Sequence, residues 1–193
     1  YLLSGKSYLS TEASVSKSDY KNNETLNDTK WEALLGYRWQ STDITRLSAL
    51  VGYQKIAFEQ TNLSDDNSVK WKLNADWQPT PIFGLTLSSS RDYVEANRLN
   101  DSFRKVDSYL LNASYALSAH INVFASAGYK DERVIYINHT DSEDYLVGEV
   151  SVNYNRNEWL SFYGKYLFRN LDNPDPILNY QRNSFSIGFS VSI

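Results

Sequence analysis

The sequence predicts an all-β fold, an antiparallel up-and-down transmembrane β-barrel with about ten strands in this chain, and three observations predict it. Apolar and polar side chains alternate along ten segments, the connections between those segments alternate short and long, and aromatic residues collect at two heights on the apolar face. Composition agrees. The 193 residues are 15% aromatic, 41% hydrophobic and 22% charged, with a mean hydropathy of −0.51. Disordered chains are poor in aromatics and ordinary soluble cores are less polar than this.

The first segment, Tyr8 to Asp19, carries Leu9, Thr11, Ala13 and Val15 on one face. Trp31 to Gln40 follows with Trp31, Ala33, Leu35, Tyr37 and Trp39 against Glu32, Arg38 and Gln40, and Ile44 to Phe58 with Leu47, Ala49, Val51 and Tyr53. From Val69 the period is almost unbroken, with Val69, Trp71, Leu73, Ala75 and Trp77 against Lys70, Lys72, Asn74, Asp76 and Gln78. Phe83 to Asp92 aligns Phe83, Leu85 and Leu87. Val106 to Leu117 aligns Tyr109, Leu111, Ala113, Tyr115 and Leu117, and Ile121 to Glu132 aligns Ile121, Val123, Ala125, Ala127 and Tyr129. Tyr145 to Tyr154 has Leu146, Val150, Val152 and Tyr154, and the next segment has Leu160, Phe162, Tyr166 and Phe168. The last, Tyr180 to Ile193, alternates Phe185, Ile187, Phe189, Val191 and Ile193 with serines and a glycine. No segment reads as a helix, and no apolar run approaches the ~20 residues that a membrane-spanning helix needs.

The connections carry independent information. Ser41 to Asp43, Pro79 to Ile82, Ser118 to His120 and Asn155 to Asn157 are short turns of turn-forming residues. Tyr20 to Thr29, Glu59 to Asn67, Tyr93 to Phe103, Arg133 to Asp144 and Asn170 to Asn179 are long and rich in Asn, Asp, Ser and Thr. Outer-membrane barrels put short turns on the periplasmic side and long loops outside. The localisation expected on this pattern is the bacterial outer membrane, with both ends of the chain periplasmic.

The aromatic residues decide which face meets lipid. Trp39, Trp77, Tyr115 and Tyr154 stand just before the short turns, while Trp31, Trp71, Tyr109 and Tyr129 stand toward the loops with Tyr53, Tyr166 and Phe168. Membrane barrels carry aromatic girdles at both interfaces. From Trp31 to Trp39 the strand advances ~26 Å, or ~20 Å of height at a tilt of ~40°, close to the apolar band of such barrels. Small aliphatics without charge fill the space between the two belts. A soluble sandwich or lipocalin-like barrel has no need of two such belts.

The opposite face becomes the lumen, lined by Glu12, Arg38, Arg46, Lys70, Lys72, Asp76, Asp92, Glu149, Lys165 and Arg182, with Glu32, Lys130, Glu132 and Arg169 sharing the same face. Small barrels fill their interior with side chains, so these charges pair across it or line an aqueous path. Which of the two holds depends on strand number. Methionine is absent even at position 1, as in a processed or trimmed chain, and strands preceding Tyr1 would make this a part of a larger barrel. The 193 residues read as one barrel domain.

Other chemistry finds little support. The chain has no cysteine, 19 basic and 23 acidic residues, which removes thiol catalysis, cysteine-ligated metals and a partner held by phosphate contacts such as nucleic acid. No metal site, cofactor or nucleophile motif is expected, and no enzyme activity. His120 falls in a turn. His139, with Asp65 and Asp66, would be the rim set of an enzyme like the omptin proteases, whose barrels are much taller than these strands allow.

The segments Tyr154-Asn-Arg-Asn-Glu-Trp159-Leu-Ser-Phe-Tyr-Gly-Lys-Tyr166 and Asn179-Tyr-Gln-Arg-Asn-Ser-Phe185-Ser-Ile-Gly-Phe189-Ser-Val-Ser-Ile193 resemble the β-barrel porin families found in exopolysaccharide and capsule gene neighbourhoods. The final alternating strand is also similar to the signal by which the barrel assembly machinery recognises its clients, with Ile193 where an aromatic is usual. The resemblance implies an outer-membrane porin, surrounded by outer-membrane lipids, that passes small hydrophilic solutes or a saccharide polymer, and barrels of more than ten strands. The alternative is a closed barrel that serves as a scaffold or adhesin through its extracellular loops.

Overall fold

The computed structural model describes residues 2–4, 6–21, 26–59, 65–95, 101–136 and 140–192. They form one antiparallel sheet of eleven strands in sequence order. The strands are β1 (Leu2–Ser4), β2 (Ser7–Ser18), β3 (Asp28–Thr42), β4 (Thr45–Phe58), β5 (Asp66–Thr80), β6 (Phe83–Glu95), β7 (Asp101–Ala116), β8 (Ile121–Tyr136), β9 (Thr140–Asn155), β10 (Leu160–Asp172) and β11 (Tyr180–Val191). The ten segments read from alternation are β2 to β11, and β1 adds a short strand at one edge. This meander is the wall of an up-and-down β-barrel, and among the described residues its two edges are β1 and β11.

Several connections read as long loops are shorter than expected. β8 runs on to Tyr136 and β9 begins at Thr140, so most of the stretch from Arg133 to Asp144 is strand, paired through Arg133 with Ser142 and Val134 with Asp141. β3 likewise starts at Asp28, and β10 reaches Asp172. Alternation fades there because both faces of a strand meet water once it leaves the lipid, while the backbone ladder continues regardless of side-chain polarity. A 3-10 turn, Pro176–Leu178, follows β10, with Asp175 capping it by accepting from the Ile177 N–H.

The two faces differ as a membrane wall requires. On β3, Trp31, Ala33, Leu35, Tyr37 and Trp39 are exposed, whereas Leu34 and Gly36 between them are buried. The exposed apolar side chains continue through Leu47, Val51, Leu73, Leu87, Leu111, Val150 and Ile187. A water-soluble protein does not leave so large a contiguous apolar surface uncovered. Lipid is the solvent that suits it.

Curvature is written into glycines on the inner face. A Cβ at Gly52 would fall on the Ala33 carbonyl oxygen, so β3 and β4 approach there as only glycine permits. At Gly188 the Tyr163 ring of the neighbouring strand lies across the position, and a Cβ would sit 2.7 Å from it.

Candidate channel interior

Register places the sequence-read inner residues on one face. The pairs Gln40 with Arg46, Arg46 with Asp76, Leu50 with Lys72, and Gly52 with Lys70 run across β3, β4 and β5, and Lys165 with Ser186 and Arg169 with Arg182 run across β10 and β11. Glu12, opposite Leu34, and Glu149, opposite Leu167, face the same way. Trp31, Trp39, Trp77, Tyr109, Tyr115, Tyr129 and Tyr154 are exposed on the other face, where half-buried Trp71 joins them.

In the β2–β7 half most of these charges are tied together. The Lys70 ammonium, 3% exposed, lies 2.7 Å from Glu32 and 2.8 Å from Asp92. It reaches Glu32 on β3 by passing over β4 at Gly52, which has no side chain in the way. Lys30 adds contacts of 3.6 Å to Glu32 and 3.9 Å to Asp92, so two ammonium groups and two carboxylates form a neutral knot. Ser14 donates to Glu32 as well. Lys72 pairs with Glu12 at 3.6 Å, and buried Arg104 with Glu132 at 3.1 Å. Asp76 accepts from Asn74 and Thr86.

The loop end of this half is narrowed. β5 and β6 pair as far as Trp71 with Arg91, yet β6 continues beside β7 to Glu95. The β6–β7 hairpin leaves the wall and packs on the inner ends of β4 and β5, where Ile56, Tyr93 and Phe103 form the buried apolar cluster with Phe58 and Ile135 against it. Phe103 meets the Tyr93 ring edge-on at 5.3 Å. Asp66 fastens the hairpin, accepting from the Tyr93 hydroxyl at 2.7 Å and facing the Lys105 ammonium at 2.8 Å. Asp66 lies loopward of the girdle residue Trp71 on the same strand. Burial pushes its carboxyl up, but Lys105 and the Tyr93 hydroxyl outweigh this and hold it below the usual carboxylate range. The sequence reading treated Tyr93 to Phe103 as loop and missed this clasp; two aromatics bracketing a polar stretch were its signal.

The β8–β11 half is different. Lys165 pairs with Glu149 at 2.6 Å, and buried Glu143 accepts from Tyr145 and Asn173. Arg169 and Arg182 face each other as direct cross-strand partners, and Lys130, opposite Tyr145, lies close by on β8. Among the described residues none of these three has a carboxylate within ion-pair reach.

Outside, a row of acids marks where lipid ends. Asp107, Asp131, Asp144 and Asp172 are successive cross-strand partners from β7 to β10, one outward position loopward of Tyr109 and Tyr129. Arg91 forks onto Asp107 while lying over the Trp71 ring at 4.2 Å. Tyr129 donates to Asp144 at 2.6 Å, so the girdle tyrosine has an apolar body and a tied polar tip. Of the rim set considered for an enzyme, Asp65 is engaged by Lys55 at 3.0 Å and Asp66 by the clasp, and His139 and the last residue, Ile193, lie outside the described residues.

An exposed apolar belt between aromatic rings, wrapped around a charged interior, defines a transmembrane β-barrel of the outer-membrane, porin-like class. Residues 6–193 match the family described as Putative beta-barrel porin 2, and the chain belongs to that family. No curated protein matches it in sequence. Among solved structures it is similar to the NanC porin in a rhombohedral crystal form, at 16% identity and a TM-score of 0.48, covering 97% of this chain and 98% of that one. It is also similar to outer-membrane expressed OmpT of Vibrio cholerae, at 15% identity and a TM-score of 0.49, covering 92% of this chain and 60% of that one.

Proposed function

We propose that this porin-like barrel is a passive channel for small hydrophilic solutes, with saccharides or a saccharide polymer as its cargo class. The observation that carries the reading is the set of polar and charged side chains that line the inner face behind an apolar exterior. A barrel that only anchored loops would gain stability from a packed apolar interior, since burying ion pairs costs desolvation. Outer-membrane lipids solvate the girdles from Trp31 to Tyr154, and β11 serves as the strand presented to the assembly machinery. Swelling of proteoliposomes in arabinose, maltose and maltotetraose tests the reading. Swelling that slows with sugar size is expected, and no swelling in arabinose overturns it.

One observation favours a second reading. The knot around Lys70 and the clasped hairpin narrow the loop end of β3–β7, as a plugged scaffold or adhesin would require. In that case loop residues 59–67 bind a partner and arabinose does not enter.

A further inference from the structure

Resting on the channel reading, we infer that the β8–β11 wall is a binding face for anionic solutes, so that the channel selects anions and carries carboxylate-bearing saccharides in preference to neutral ones. The argument is a census of charges left over after pairing. On the inner face the knot, the Lys72–Glu12 pair, the Arg104–Glu132 pair and the Lys165–Glu149 pair each cancel. Five inner cations then make no ion pair among the described residues: Arg38, whose guanidinium bonds the Tyr8 hydroxyl, Arg46, which stands opposite Asp76, and Lys130, Arg169 and Arg182. Against them stand Asp76, held by Asn74 and Thr86, and, at the loop end, Asp28, Asp141 and buried Glu143.

The surplus inside is thus positive although the whole chain carries −4. The acids responsible for that overall sign lie elsewhere, in the outer row from Asp107 to Asp172 and at the loop ends. The other edge does not alter the balance. The inner face of β2 offers one carboxylate, Glu12, already on Lys72.

The placement of Arg169 and Arg182 strengthens the inference. Like charges directly opposed across a strand pair are destabilising, and no residue of β9, β10 or β11 offsets this pair. An anion between the two guanidinium groups would. Each guanidinium presents a planar fork that matches a carboxylate. Arg38 and Arg46 stand toward the turn end, lining a shared pocket with Tyr8 and Asp76. A solute crossing the barrel would meet free cations at both levels.

The test is the reversal potential of the full-length protein in planar bilayers under a KCl gradient. A chloride-over-potassium permeability ratio of about two or more is expected. The triple variant Lys130→Gln, Arg169→Gln, Arg182→Gln is expected to bring the ratio close to unity. Lys55→Gln, which removes one positive charge from the outer face, is expected to leave it unchanged. A hyaluronan tetrasaccharide should block the current at concentrations where maltotetraose does not, and the triple variant should lose that block. A channel that conducts with equal or greater preference for potassium overturns the inference and leaves the channel reading standing. A protein that never conducts overturns both.

Discussion

The two halves of the wall solve the problem of inner charge in opposite ways. From β2 to β7, most acids and bases find each other, Lys70 reaching Glu32 across a bare glycine, so the loop end of the face is largely neutralised, crowded and roofed by a hairpin. From β8 to β11, serines and glycines line much of the inner face, and two arginines oppose each other with no carboxylate within ion-pair distance among the described residues. The first half behaves like the interior of a small barrel, where ionic groups are kept because their partners are at hand. The second resembles a surface kept open for solute. Paired charge on one side gives rigidity, and unpaired charge on the other gives a field.

Breaking the knot should have the largest effect. Lys70→Met leaves the largely buried Glu32 and the partly exposed Asp92 with Lys30 alone, and losing the buried member of such a group costs about 3 kcal/mol. Urea titration of tryptophan fluorescence in lipid vesicles measures it. Gly52→Ala comes next at about 2 kcal/mol, because β4 must move off the Ala33 carbonyl and over-tight packing costs that order. In the open half, Lys165→Gln should cost under about 1 kcal/mol, since both partners of that pair are partly exposed and screened. Equal losses for Lys70 and Lys165 variants would erase the contrast between the halves.

The smallest effect concerns pH and the hairpin. The Asp66 carboxyl titrates below its ordinary value in the folded protein, so its hold on Lys105 and Tyr93 is fully present above a pH of about 4 and is lost as the pH falls through its lowered value. Conductance should therefore rise modestly in strong acid, and Asp66→Asn should show the acid level already at neutral pH. An Asp66→Asn channel that conducts like the parent at neutral pH would remove the clasp from the account.

The strands and their facing were legible in the sequence because lipid on one side and polar contents on the other impose a strict two-residue period. Lys70 and Lys72 could be placed inward from Val69, Trp71 and Leu73 alone. Strand ends were less legible: Asp141 to Asp144 looks like loop because above the lipid neither face demands apolar residues. Pairing was not legible at all. Lys70, Lys72 and Lys165 read as equivalent to Arg38 and Arg182, yet the register sets the first three beside carboxylates and leaves the last two alone. Arg104 and Lys105 escaped notice because their partners stand on other strands, and Lys30 because it precedes the alternation that begins at Trp31. Tyr93 and Phe103 were hidden for another reason, since a hairpin that leaves the wall obeys no alternation.

The central claim is that the polar interior is a continuous aqueous path. Single-channel recording of the full-length protein in a planar bilayer at neutral pH tests it most directly. The account predicts discrete, ohmic conductance steps; a protein that inserts and folds yet gives no step would contradict it.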